Sequence, residues 1–227
     1  MALPLALPLG ALGALLGEVI ARERRASSAA ATAILILLVP LSGPLEARLQ
    51  QTPLREVSTA IDIDAPREKV WPHVVAFAEI DAPPGWLFRL GIAYPVRARL
   101  EGSGVGATRR CEFSTGAFVE PITAWEEPSR LGFSVAAQPP PLHEWSPYRR
   151  VYAQHLVDTW QSRRGEFRLV ALPDGRTRLE GSTWYELAMA PEPYWAFYAD
   201  LFIHRIHTRV LEHIRAEVNA ARAPAAK

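Results

Sequence analysis

Only one cysteine, Cys111, occurs in the sequence, which excludes an internal disulfide framework and any Cys-based zinc cluster. Neither sign of charge dominates. Lys and Arg number 25 against 24 Asp and Glu, so the chain lacks the basic footprint of a nucleic-acid binder. Wholesale disorder and collagen-like repeats are also excluded, because 49% of residues are hydrophobic and 22% charged. What remains is a chain of 227 residues, long enough for one domain with extras or for two small ones.

Charge is missing altogether from residues 1–17 (MALPLALPLGALGALLG). Glu18-Val-Ile-Ala and a charged knot, Arg22-Glu23-Arg24-Arg25, follow. Residues 26–45 are again uncharged over 20 positions. At ~1.5 Å per residue, a helix of that length spans ~30 Å, about the hydrocarbon thickness of a bilayer. Residues 1–51 therefore read as a membrane anchor, with spans at about 1–20 and 26–45. A cleaved signal peptide fits poorly, since Ser42-Gly43-Pro44-Leu45 carries a proline and no A-x-A site follows. A buried core helix fits poorly too, since residues 34–39 have no polar face. A third alternative, in which 1–17 end a larger membrane region, stays open. Three arginines precede the second span, while Arg48 and Arg55 follow it. That balance places the knot in the cytoplasm. The expected location is the membrane, with the C-terminal domain extracytoplasmic.

From Thr52 the composition becomes an ordinary globular mixture, enough for one sizeable core. Residues 55–64 alternate through Val57, Ile61 and Ile63, which predicts a strand. Asp64 then reads as the N-cap of a short helix entered through Pro66, with Pro72 limiting or bending it early. Further strands are expected at about 95–101, 106–114, 117–126, 130–137, 163–172 and 176–189, forming an antiparallel α+β sheet. A three-residue loop at 173–175, with Gly175 left-handed, sets Leu169 opposite Leu179, Phe167 opposite Gly181 and Gly165 opposite Thr183. The other face then pairs Arg168 with Glu180 and Arg164 with Trp184. That register turns Thr183, Tyr185 and Leu187 inward. Residues 193–221 form the longest helical stretch, apolar at Trp195, Tyr198, Phe202, Ile206, Val210 and Ile214 and broadened by Phe197, Leu201, Ile203 and Leu211. The sheet is the surface that such a helix must cover.

This order of elements resembles the helix-grip fold, a curved antiparallel sheet wrapped round a long C-terminal helix. The residues resemble the START / polyketide cyclase (SRPBCC) superfamily. The likeness lies in Ile61-Asp-Ile-Asp-Ala-Pro-Arg-Glu-Lys-Val-Trp71, in Gly104-Val-Gly-Ala-Thr-Arg-Arg-Cys-Glu-Phe113, in Gly181-Ser-Thr-Trp-Tyr-Glu186 and in the terminal helix, and covers roughly 55–222. The resemblance implies a cavity between helix and sheet for an apolar or amphipathic ligand, such as a lipid, sterol or polyketide. Some members of the superfamily are cyclases, dehydratases or hydrolases, and others only carry or sense a ligand. Fold alone does not choose between them.

The pocket walls expected from these readings are Arg109, Cys111, Phe113, Phe133, Phe167, Thr183, Tyr185, Trp195, Tyr198, Phe202, Ile206 and His207. Within this set Cys111 is a small buried hydrophobe or a nucleophile. An inward Arg109 binds a ligand carboxylate or phosphate, or else snorkels at the strand end. His204 and His207, three apart on the helix, are pocket-lining, structural, or two ligands of a metal that needs a third from His143, Glu144 or His155. No metal and no cofactor is assigned. Glu112 and Glu186 fall on the outer phase, and Glu120 stays open. Gln138-Pro-Pro-Pro-Leu-His-Glu-Trp-Ser-Pro-Tyr148 reads as a loop, either a lid carrying Trp145 and Tyr148 or a surface excursion. Gly102-Ser-Gly-Val-Gly-Ala reads as a hairpin turn, since no helix follows it.

Three functions follow as expectations. The first is membrane-tethered binding or transfer of a hydrophobic small molecule or lipid. The second is a cyclase/dehydratase-like enzyme in the same cavity, with Tyr185 or His207 handling the proton. The third is a non-enzymatic interaction module with a self-filled core.

Overall fold

The computed structural model describes residues 3–23, 52–144, 151–152 and 155–222. The chain divides into two compact units, 1–51 and 52–227. In the first, helix α1 spans Leu3–Glu23 with Pro8 inside it. Among the described residues no helix is long and apolar enough to cross a membrane. The expected membrane location, with its extracytoplasmic domain, is corrected on that finding. The physical reason is visible in the sequence: the uncharged run before Glu18 is 17 residues, broken by Pro4, Pro8, Gly10, Gly13 and Gly17, short of the ~20 apolar residues that a span requires. The second expected span, 26–45, lies outside the described residues.

The second unit holds strand β1 (Arg55–Ile63), helix α2 (Arg67–Val75), the short helix α3 (Trp86–Arg89), strands β2 (Pro95–Glu101), β3 (Thr108–Phe113), β4 (Gly116–Glu126) and β5 (Arg130–Ser134), a small hairpin of β6 (His143–Glu144) and β7 (Val151–Tyr152), helix α4 (His155–Thr159), strands β8 (Trp160–Ala171) and β9 (Thr177–Leu187), and helix α5 (Glu192–Arg222). Among the described residues β1–β5, β8 and β9 pair antiparallel in the order β1-β9-β8-β5-β4-β3-β2. The class is α+β and the sheet is curled, with register shifts at Pro95/Arg97, Ile122/Ala124 and Ser162/Arg164 that add local bend and twist. The long helix lies against the inner face, as the helix-grip reading requires. It buries Val210, Leu211, Ile214 and Val218 against the strand residues Ile63, Leu169 and Leu179 and the α2 residues Val70 and Val74. Each such side chain removed from water contributes about 1.5–3 kcal/mol before entropy is counted.

The β8–β9 turn forms as its sequence predicts. Leu169 faces Leu179, Phe167 faces Gly181 and Gly165 faces Thr183, while Gly175 adopts φ +82°. On the outer face the Arg164 guanidinium lies 4.0 Å from the Trp184 ring centre, but Arg168 turns to Glu166 at 2.9 Å rather than to its cross-strand neighbour Glu180. The start of α2 differs from expectation. Pro66, not Asp64, occupies the N-cap position, and no side chain caps the helix. Pro72 does not end α2 either, since the helix runs on to Val75 and the Ala76 N–H still donates to the Pro72 carbonyl. The described part of the Gln138–Tyr148 stretch is tied to its surroundings: the Gln138 side chain bonds the backbone of Trp160 and Ser162 at 2.7 and 2.8 Å, and the His143 N–H donates to Gly91 O. The lid residues Trp145 and Tyr148 lie outside the described residues. Phe197, counted on the apolar face of the terminal helix, is 65% exposed.

Candidate functional site

Between the inner face of the sheet and α5 lies a cavity of about 100 Å³. Its floor is made by two cross-strand pairs, Phe133 over Gly165 and Phe167 over Gly181. A side chain at the first of these would push the ring aside. A Cβ on Gly165 would fall 2.4 Å from the Phe133 ring, and one on Gly181 would meet the Phe167 ring at 3.4 Å. Each glycine therefore lets an aromatic ring lie flat on the sheet. Phe113 and Phe118 add a further aromatic wall, with ring centres 4.8 Å apart. Ile203, Ile206 and Val210 cover the space from the helix side.

Ser162, Arg164, Glu166 and Ser182 also border the space, and two polar groups interrupt the apolar lining on its inner side. The first is a buried ion pair. Arg109 and Glu120 are cross-strand neighbours on β3 and β4, they bond directly, and both are almost completely buried, at 2% and 6% exposure. The Arg109 Nε–H also donates to Val75 O at the end of α2. The rings of Phe77, Phe133 and Phe167 surround the guanidinium at 5.7, 5.5 and 5.4 Å, a favourable cation–π setting. Burial is the largest influence on both charges and opposes both. It leaves the Glu120 carboxyl above its ordinary range despite the arginine, while at Arg109 the interactions with Glu120 and Cys111 together exceed burial and hold it above its own. The expected role of Arg109 as a free anion receptor is weakened by this pairing, because the protein already supplies its counter-charge.

The second polar group is a chain of four side chains. His207 Nε2 lies 2.8 Å from Thr183 Oγ1, and His207 Nδ1 lies 3.2 Å from Thr59 Oγ1. The same threonine oxygen is 2.9 Å from His204 Nδ1. His207 and Thr183 line the cavity; Thr59 is buried and His204 exposed. Burial, and secondarily the neighbouring His204, pushes the His207 imidazole down to about 4, so the ring is neutral at physiological pH. Each histidine directs Nδ1 at Thr59.

The cavity therefore brings together Arg109, Cys111, Phe113, Phe133, Phe167, Thr183, Ile206 and His207 from the sequence-derived set. Four others stand elsewhere. Tyr185 and Trp195 pack in a separate cluster with Leu187, Ala196 and Ala199. Tyr198 and Phe202 belong to a third cluster around Phe88 and Leu156. Cys111 is buried and its thiol is pushed up to about 12, chiefly by that burial, so the nucleophile reading loses its chemical basis. Glu112 pairs with Arg97 and Glu186 with Arg163, each at 2.6 Å. Sequence reasoning left Glu120 open and passed over Thr59. Both signals were present: Phe118, Glu120 and Ile122 share one phase of β4, and Thr59 continues the inward phase of Val57, Ile61 and Ile63.

Neither a protein-family model nor a curated protein sequence matches the chain. Solved structures do. The Zhui aromatase/cyclase of a Streptomyces species is similar at 15% identity and a TM-score of 0.50, over 76% of this chain and 98% of that one. The shared feature is the helix-grip fold. Norcoclaurine synthase from Thalictrum flavum, in complex with dopamine and hydroxybenzaldehyde, aligns at 12% identity and a TM-score of 0.47, over 76% and 91% of the two chains. A protein from Nitrosospira multiformis aligns at 22% identity and a TM-score of 0.44, over 74% and 100%. At these identities the likeness is one of architecture.

Proposed function

We propose that this protein binds a small, largely apolar organic molecule between the curled sheet and α5, with the polar end of the ligand at His207 and Thr183. The observation that carries the reading is a largely apolar cavity between sheet and helix onto which a neutral imidazole and a hydroxyl, His207 and Thr183, both face. At about 100 Å³ the space is smaller than the ~150 Å³ that admits a benzene ring to a rigid core. The ligand is therefore smaller than a benzene ring, or it displaces the Phe113 and Phe118 rings on entry. Phenol, one ring with one hydroxyl, probes the second case. Titrating the full chain with phenol should shift the NMR resonances of Ile206, Val210 and His207 first. The variant Ile206→Trp, which fills the space, should abolish those shifts. Shifts confined to other regions, or none up to the solubility of phenol, would contradict the proposal.

A second reading, a cyclase- or dehydratase-like enzyme in the same cavity, is favoured by one observation. His207 is a neutral base beside a hydroxyl at the cavity wall, the arrangement that proton transfer requires. Tyr185, the other proposed proton carrier, hydrogen-bonds to Asp200 at 2.5 Å away from the cavity, which leaves His207 as the group to test. Self-filled packing, the third expectation, is disfavoured by the open space beside Ile206 and Val210.

A further inference from the structure

We infer that Thr59 and His204 form a proton relay that connects His207, on the cavity wall, to solvent on the far side of α5. The inference rests on the ligand-binding reading above for its client, but the relay itself is a property of the ligand-free protein.

The argument starts from one hydroxyl between two rings. Thr59 Oγ1 stands 2.9 Å from His204 Nδ1 and 3.2 Å from His207 Nδ1. A hydroxyl has one proton to donate, while a neutral imidazole carries one N–H and one lone pair. The oxygen also has two lone pairs, so both histidines can donate to it; where instead one donates and the other accepts, the chain is directional and has two arrangements. In the first, His204 Nδ1–H donates to Thr59, Thr59 donates to His207 Nδ1, and His207 Nε2–H donates to Thr183, 2.8 Å away. In the second every bond is reversed: His207 Nδ1–H donates to Thr59, Thr59 donates to His204 Nδ1, and Thr183 donates to His207 Nε2.

Passing from the first arrangement to the second moves one proton the length of the chain. Water protonates His204 at Nε2. The His204 Nδ1 proton goes to Thr59, the Thr59 proton to His207 Nδ1, the His207 Nε2 proton to Thr183, and the Thr183 hydroxyl proton to the ligand or, without one, to water entering the cavity. Every residue begins and ends neutral, so the ligand gains one proton and the solvent loses one. The reverse passage removes a proton from the ligand. His204 is exposed and Thr59 buried, so the chain has one end in water and one at the cavity. On α5 the neighbouring ionisable groups are His204, Arg205 and Arg209, of which His204 shares the hydroxyl of Thr59 with His207. Thr59 and Thr183 face His207 from β1 and β9, and Arg109, Glu120 and Cys111 from β3 and β4 and Arg164 and Glu166 from β8 line the same cavity. An imidazolium is disfavoured at His207, which suits a ring that hands a proton on rather than storing it. The ligand class implied is one with an exchangeable proton, such as a phenol, an enol or a carbonyl compound with an acidic C–H.

The test uses full-length protein labelled with ¹⁵N at histidine, without ligand, at neutral pH. The relay predicts that His204 and His207 each show ¹⁵N shifts averaged between the two tautomers, with rapid exchange of the His207 N–H with water. Thr59→Val should lock His207 in one tautomer and slow that exchange by about tenfold or more, into the regime of protected buried protons. Thr59→Ser should restore wild-type behaviour. His204→Leu, at an exposed position, should slow the exchange as Thr59→Val does and guards against a Thr59→Val protein that fails to fold. A single fixed His207 tautomer with a slowly exchanging N–H in the wild-type protein would overturn the relay, as would unchanged exchange in both variants. Neither result depends on phenol binding, so the relay and the ligand-binding reading fail separately.

Discussion

Thr183 and Tyr185 stand two residues apart on the inner phase of β9, yet their surroundings are opposite in kind. Around Tyr185 the charges close on one another. Its hydroxyl donates to Asp200 at 2.5 Å and accepts from Arg55 at 3.2 Å, and Arg55 bonds Glu192 at 2.8 Å. Around Thr183 the partners are neutral and one side is open space. The Tyr185 cluster fastens the start of β1 to the first turns of α5, with its polar atoms spent on each other. The Thr183 corner keeps a hydroxyl and an imidazole beside an apolar void. A side chain's inward phase therefore predicts burial but not availability, and availability follows from whether charged partners have already been supplied.

Breaking the buried pair that borders the cavity should give the largest effect. Glu120→Leu leaves Arg109 buried without its counter-charge and is expected to cost about 3–5 kcal/mol in chemical denaturation. Adding Arg109→Met should recover much of the loss, since two apolar side chains then replace the pair. Acid should separate the two regions next. The His207 imidazole lies near 4 in the folded protein against an ordinary value near 6.5, so between those values the unfolded chain binds more protons. Stability on this account is complete above about pH 6.5 and falls as pH drops towards 4, by at most about 3 kcal/mol, discounted where the cavity admits water. His207→Gln should flatten that part of the pH profile. At the other region burial, with Asp200, holds the Tyr185 phenol above its ordinary value. Its contribution is therefore present below that value and is lost only on the alkaline side.

Smaller effects sharpen the same contrast. Tyr185→Phe should cost about 1–2 kcal/mol through its lost hydrogen bonds and leave phenol binding unchanged by calorimetry. Thr183→Val should do the reverse, weakening phenol by about tenfold, the equivalent of one hydrogen bond, with little loss of stability. Gly165→Ala should be the mildest, since the Phe133 ring can turn away from the added methyl. It should then move the Phe133 and Phe167 resonances and reduce phenol affinity.

Much of the architecture was legible because alternation and turn chemistry are local. The Asp174-Gly175 loop set the β8–β9 register to the residue, and the spacing from Trp195 to Ile214 announced the long helix. The first expected span fails for a different reason: residues 1–17 lack charge, but the prolines and glycines that punctuate residues 4–17 keep them short of a membrane-spanning helix. At the site, Phe133 and Phe167 were expected as walls, but their pairing with Gly165 and Gly181 matters only once the cross-strand neighbours are known. Thr59 and His204 are 145 positions apart, and no spacing rule connects them. Only the pairing of β1 with β9, and of α5 with both, brings them to one hydroxyl.

Native mass spectrometry of the full chain, set against its denatured mass, tests the ligand-binding claim most directly. A small organic molecule retained near one-to-one, and lost in Ile206→Trp, is the predicted result. Identical native and denatured masses for protein purified under mild conditions, together with no displacement of Ile206 or Val210 resonances by phenol, would contradict it.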